Sequence, residues 1–190
     1  MSEFRLNRAT KEWIIIATER AKRPHEFMVK TERQKLPPFD PQCPFCPGNE
    51  NQTPPEIYAE RDKDSPADSP EWSVRVVNNK YPALEPMEKS VKIAGRYFRT
   101  ASGVGKHEVI IETPKHNRTF ATLNLKQAER VCLVCWKRYR SLEKDRRFKL
   151  IMIFKNHGVT AGTSLKHPPY TGDCSSVDSR QHQASPGGSH

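Results

Sequence analysis

The sequence predicts an α+β fold: an antiparallel sheet, one main helix and a loop pinned by a metal ion. Three observations carry this. Short β-branched runs end at turn signals, one segment has apolar residues at helical spacing, and a Cys-x-x-Cys pair lies in a stretch too rich in proline for regular structure. At 190 residues the chain has room for one domain with tails, enough to bury a core unaided.

In chain order, EWIIIAT places a strand at 13–18, followed by the basic turn TERAKRPHEF. From 35 to 58, KLPPFDPQCPFCPGNENQTPPEIY repeats Pro, Asn and Gly, so something other than a hydrogen-bond ladder must hold it. WSVRVVNNKYPA (72–83) alternates and then breaks at an Asn-Asn-Lys turn, and HEVIIET (107–113) stops at Pro114; together they suggest an antiparallel meander. Leu125, Ala128, Val131, Cys132, Cys135, Tyr139 and Leu142 fall on one face of a helix over 125–142. LIMIF (150–154) is a continuous apolar run and predicts a central strand leading into NHGVTAGTS. Residues 170–190 hold almost no large apolar side chain and are expected to be disordered.

With 32 Lys and Arg against 22 Asp and Glu, the net charge of +10 attracts anions, whether nucleic acid or phosphorylated small molecules. No apolar run approaches the roughly 18 residues of a membrane span, and the first residues lack an apolar signal region. The expectation is a soluble, cytoplasmic protein with no membrane partner. Cysteines there read as thiols or metal ligands rather than disulfides.

Cys43 and Cys46 in CPFCPGN can turn both thiolates toward one tetrahedral zinc ion, which needs two further ligands. His107, His116, His157 and His167 flank the predicted strands, and residue spacing leaves all four open. Cys132 and Cys135 lie on the apolar face of the helix and are expected to pack in the core, while Cys174 reads as a free thiol. A zinc finger would need a His pair about 12 to 15 residues after the cysteines; none stands there, which weighs against nucleic acid as the partner.

Five ordered blocks, RLNRATKEWIIIATERAKRP, CPFCPGNE, VRVVNNKYPAL, HEVIIETPKHNRTFATL and FKNHGVTAGTSLKHP, resemble the galactose-1-phosphate uridylyltransferase family of the histidine-triad superfamily. The resemblance covers residues 4–168. It implies a histidine-triad-like half-domain over 1–169, a non-family tail over 170–190 and a second half-domain that is missing. The implied chemistry is uridylyl transfer in two displacements. A histidine attacks the α-phosphorus of UDP-glucose, releasing glucose 1-phosphate, and a hexose 1-phosphate then takes the uridylyl group. The resemblance further implies a homodimer for the full-length family and zinc held by Cys43, Cys46, His116 and His167. It implies UDP-sugar contacts from Arg20, Arg23, Asn79, Asn156, Gly162 and Ser164. ADP-glucose-type nucleotide-sugar phosphorylases share these blocks and are the close alternative; a basic zinc module binding nucleic acid is the rival from another class.

The family continues from the zinc histidine as His-Pro-His-x-Gln, and its second histidine is the nucleophile. Here the chain reads His167, Pro168, Pro169. Proline has no lone pair to attack phosphorus, so no catalytic residue is assigned and the uridylyl-enzyme route is expected to be closed. Removing one base from the Pro169 codon can restore His-Thr-Gln and an apolar strand, so a frameshift near Pro169 is the expected origin of the tail.

Overall fold

The computed structural model describes residues 2–18, 20, 36–61, 64–87, 91–94, 99–156, 167 and 170–175. In chain order these form β1 (Glu3–Leu6), β2 (Trp13–Ile16), β3 (Glu56–Glu60), β4 (Val74–Asn78), β5 (Lys92–Ala94), β6 (Arg99–Ser102), β7 (Gly105–Ile111), α1 (Leu125–Leu142), β8 (Leu150–Phe154) and β9 (Tyr170–Ser175). The strands make two antiparallel sheets. The smaller is ordered β2-β1-β6-β5 and the larger β3-β4-β7-β9-β8.

β7 organises the larger sheet because its side chains alternate between two packed faces. Ile110 joins Val74, Val76, Val131 and Val134 beneath the helix, whereas Val109 and Ile111 join Trp72 and Val77 on the opposite face, where Phe45 of the Pro-rich loop packs. The predicted strands at 13–18, 72–83 and 107–113 are present as β2, β4 and β7. β4 also buries a cation: Arg75, 1% exposed, bonds Thr53 and pairs with Asp68 and Glu56, tying β3 and its connection to β4.

The helix spans the predicted residues but turns a different face inward. Its first turn is capped by Asn124 Oδ1, which accepts the Gln127 N–H at 2.9 Å. Val131, Val134 and Leu142 are buried, while Leu125 is 76% exposed, Tyr139 43%, and Cys132 is exposed rather than in the core. Cys135 does pack against the core. The sheet's polar groups select this rotation. Gln127 Nε2 donates to the carbonyls of Ser73 and Glu112 at 2.7 and 2.8 Å, and Arg138 forms a two-pronged pair with buried Glu108 at 2.8 and 2.9 Å. Apolar spacing cannot report these bonds. Asn124→Ala is expected to destabilise the fold by about 1 kcal/mol, read as a lower urea midpoint.

Two expectations are corrected in the larger sheet. β8 is an edge strand among the described residues, with Leu150 and Met152 exposed, because β9 lies between it and β7. Tyr170–Ser175 therefore is not disordered: Tyr170 faces Ile110 and Ser175 faces Gly105 on one side, and Thr171 faces Phe154 on the other. Composition reports side-chain burial, whereas a strand between two others is held through its backbone on both edges. Residues 176–190 lie outside the described residues.

Candidate metal centre

The Pro-rich loop is folded by consecutive tight turns. The N–H of Cys43 donates to Asp40 O, that of Cys46 to Cys43 O and that of Asn49 to Cys46 O, at 3.1, 3.1 and 3.2 Å. The last turn carries Pro47 and Gly48 in the middle, and Gly48 has φ of 92°, as a type II turn requires. Asn49 Nδ2 donates to the carbonyls of Pro41 and Cys43. The buried Glu50 side chain accepts the Gly48 N–H at 2.8 Å and the Trp72 Nε1–H at 2.9 Å, fastening the loop to the start of β4. Sequence reasoning missed Glu50, because its partners identify themselves only once Trp72 is placed beside the loop.

Both predicted histidine ligands reach this loop. His116 follows β7 around the Pro114 turn and donates its backbone N–H to Pro38 O at 2.8 Å. His167 is fully buried, and its Nε2–H donates to Thr113 O at 2.9 Å. That bond puts the ring proton on Nε2 and leaves the Nδ1 lone pair facing the thiols. Cys46 Sγ lies 3.5 Å from His116 Nδ1 and 4.0 Å from His167 Nδ1, and Cys43 Sγ lies 3.8 Å from His167 Nδ1.

The ligand atoms of Cys43, Cys46, His116 and His167 all lie within 4.8 Å of one another, and all four residues are buried. A tetrahedral ion with bonds of about 2.3 Å to sulfur and 2.05 Å to nitrogen needs sulfur–nitrogen separations of about 3.6 Å, so the donor set fits such a cation. Burial alone opposes the ligating form of the thiol. It pushes Cys43 up to about 12, keeping the thiol protonated, and it pushes His167 down to about 4, keeping the ring neutral. A divalent cation supplies the positive charge that two buried thiolates lack.

For the metal-free chain the sign follows directly. His167 in the fold protonates near 4 against an ordinary value of 6.5, so the unfolded chain takes the proton first as pH falls. Stability present above pH 6.5 is expected to decline toward pH 4 by about 3 kcal/mol from this residue. Urea midpoints of chelator-treated protein across that range measure it; a flat profile contradicts it. Cys43 is shifted the other way, so its contribution is lost as pH rises above 9.

Over residues 1–190 the sequence matches the profile of the galactose-1-phosphate uridyl transferase N-terminal domain. The chain belongs to this family. It is 33% identical over 167 residues to the ADP-glucose phosphorylase of Arabidopsis thaliana, covering 87% of this chain and 46% of that protein. It is 31% identical over 170 residues to the galactose-1-phosphate uridylyltransferase of Thermotoga maritima, covering 88% and 45%. The crystal structure of an Arabidopsis thaliana ADP-glucose phosphorylase with bound ADP-glucose superposes with a TM-score of 0.58 at 27% identity, over 94% of this chain and 50% of that one. The chain thus spans about half the length of these two relatives.

Of the uridyl transferase contacts predicted for the sugar nucleotide, the described residues include three. Arg20 stands just past β2, partly exposed, with its backbone N–H on Ala17 O at 3.1 Å. Asn79 follows β4 and is joined to His107. Asn156 is exposed two residues after β8. Arg23, Gly162, Ser164 and Pro169 lie outside the described residues, as does His157. Among the described residues no helix is long and apolar enough to cross a membrane.

Proposed function

We propose that this chain is the zinc-holding, nucleotide-sugar-binding half of a nucleotidyl transferase of the uridylyltransferase family. The observation that carries the reading is the four-residue cluster, because it joins the Pro-rich loop to the turn after β7 and to His167, the last residue of the strand-loop block at 154–167. Zinc is the ion we assign, on the tetrahedral two-sulfur, two-nitrogen donor set. Its role there is to hold the loop and His167 in place.

Arg20, Arg23, Asn79, Asn156, Gly162 and Ser164 are the proposed contacts to UDP-glucose, with the arginines and amide donors meeting the diphosphate oxygens. The family half-domain is proposed to include β9 and so to run to at least residue 175. Pro169 stands where the family places its nucleophile, so the chain binds a nucleotide sugar without forming a covalent uridylyl-histidine, and transfer to hexose 1-phosphate does not follow. Base preference has a second reading. The 33% identity to the ADP-glucose phosphorylase favours ADP-glucose as an alternative ligand.

Calorimetric titration of zinc-loaded protein with UDP-glucose, ADP-glucose and duplex DNA tests this. A dissociation constant below about 1 mM for one nucleotide sugar is expected. So is the absence of acid-labile label after incubation with α-phosphate-labelled UDP-glucose. DNA binding that falls steeply with salt, with indifference to both nucleotide sugars, sinks the proposal.

A further inference from the structure

Packing fixes one side of α1 and leaves the other in solvent. Val131, Val134 and Leu142 are buried and Arg138 is held on Glu108, so the opposite side of the helix faces outward. That outward side is not purely polar. Glu129, Leu133, Trp136 and Arg140 recur at spacings of four, three and four, which places them in one stripe along the helix, and each is exposed. Leu133 is 42% exposed and Trp136 60%, and Cys132 and Tyr139 widen the apolar strip on one flank. Polar residues are expected on the solvent side of a surface helix; a row with an exposed indole at its middle marks an interaction surface.

The order of the stripe identifies the partner. It reads acid, apolar, apolar, base, and the midpoint between Glu129 and Arg140 is also the midpoint between Leu133 and Trp136. A two-fold axis through that point, perpendicular to the helix, brings up a second copy antiparallel. Leu133 then meets the partner's Trp136 and Glu129 meets the partner's Arg140, each contact being made twice. Parallel pairing would set acid on acid and base on base, so charge selects the antiparallel arrangement. Arg140 also pairs with Glu143 on its own helix, but its side chain stays 59% exposed and one carboxylate leaves guanidinium N–H groups to offer.

The charges exposed along α1 and its C-cap, Lys126, Glu129, Arg140 and Glu143, balance, in a chain whose net charge is +10. A nucleic acid is drawn to basic surface and gains nothing from such a face, whereas a locally balanced face can meet its own copy.

We propose that the outward stripe of α1 is a self-association surface, on which two copies of this chain pair antiparallel about a two-fold axis between Leu133 and Trp136. One helix pair buries less than the roughly 1,600 Å² of a standard interface, so the dimer is weak, with a Kd of about 10–100 µM. The helix covers one face of the larger sheet and the Pro-rich loop packs on the other, so pairing leaves the metal centre open.

Sedimentation velocity of the zinc-loaded full chain under reducing conditions, from about 5 to 500 µM, should show a concentration-dependent monomer–dimer equilibrium. A monomer throughout overturns the proposal, and so does any species larger than a dimer, because a two-fold contact closes on itself. Glu129→Arg and Arg140→Glu each bring like charges together twice and should each weaken the dimer about tenfold. The double variant should recover to within about threefold of the unsubstituted chain. The two positions stand about 16 Å apart along one helix, beyond the screening length of about 8 Å, so recovery has to act between chains. Trp136→Ser should weaken the dimer at least about tenfold. Every substituted position is exposed, so zinc content should be unchanged and melting temperatures should stay close to that of the unsubstituted chain. A dimer indifferent to these changes, or a double variant as weak as the single ones, overturns the proposal.

Discussion

Cys46→Ser is expected to abolish stoichiometric metal retention and to lower the melting temperature by about 10 °C or more. Cys46 is 1% exposed and contacts His116 Nδ1 and His167 Nδ1, and its sulfur accepts the Asp40 N–H at 3.4 Å. The serine oxygen is smaller, harder and not deprotonated at neutral pH, so it replaces neither the metal bond nor the contact with Asp40. Metal binding to the folded state alone is folding free energy, and loss of one of four ligands is expected to cost about 3–5 kcal/mol. In a chain of this length about 1 kcal/mol moves the midpoint by about 2–4 °C. Metal analysis after gel filtration and calorimetric melting measure both effects. Cys132→Ser is the control: that thiol is exposed on the helix and its replacement should leave both unchanged. A Cys46→Ser protein that keeps a full equivalent of metal and its melting temperature contradicts the four-ligand site.

Arg75→Ala should cost about as much through a different cause. The guanidinium is 1% exposed and meets Thr53 Oγ1 at 2.9 Å together with the carboxylates of Asp68 and Glu56. Removing one partner of a buried ion pair leaves the other carrying uncompensated charge, at about 3–5 kcal/mol. Glu56 retains Arg61 at 2.7 Å, which places the expected loss at the lower end. Urea unfolding at pH 7 reads it. Arg75→Met, which keeps the packed stem, should lose less than Arg75→Ala. If the two variants unfold at the same midpoint as the unsubstituted chain, the network does not hold β3 to β4.

Particular elements show what was legible and why. The helix boundaries were readable because Asn124 caps the first turn and periodicity acts over a few residues; its buried face was not, because Arg138 and Gln127 are drawn inward by Glu108 and by two carbonyls of the sheet. LIMIF was readable as a strand, yet its place at an edge depends on β9 entering beside it. Likewise Tyr170–Ser175 carries no apolar pattern, so nothing local announces a strand held by neighbours on both sides.

The sequence by itself determined β2, β4, β7, β8 and the helix as segments, the Cys-x-x-Cys turn and, through ordered family blocks, the four residues that gather as candidate ligands. Spacing alone left four histidines open. Tertiary structure decided that Cys43 and His167, 124 residues apart, face each other, and that Thr113 turns the His167 lone pair toward the thiols. It also brought His107 Nε2 within 2.8 Å of Asn79 Nδ2. The physical reason is range. Turn chemistry and periodicity act between residues a few places apart, whereas a ligand set drawn from a loop, a strand end and a distant segment exists only when sheet pairing brings them to one point.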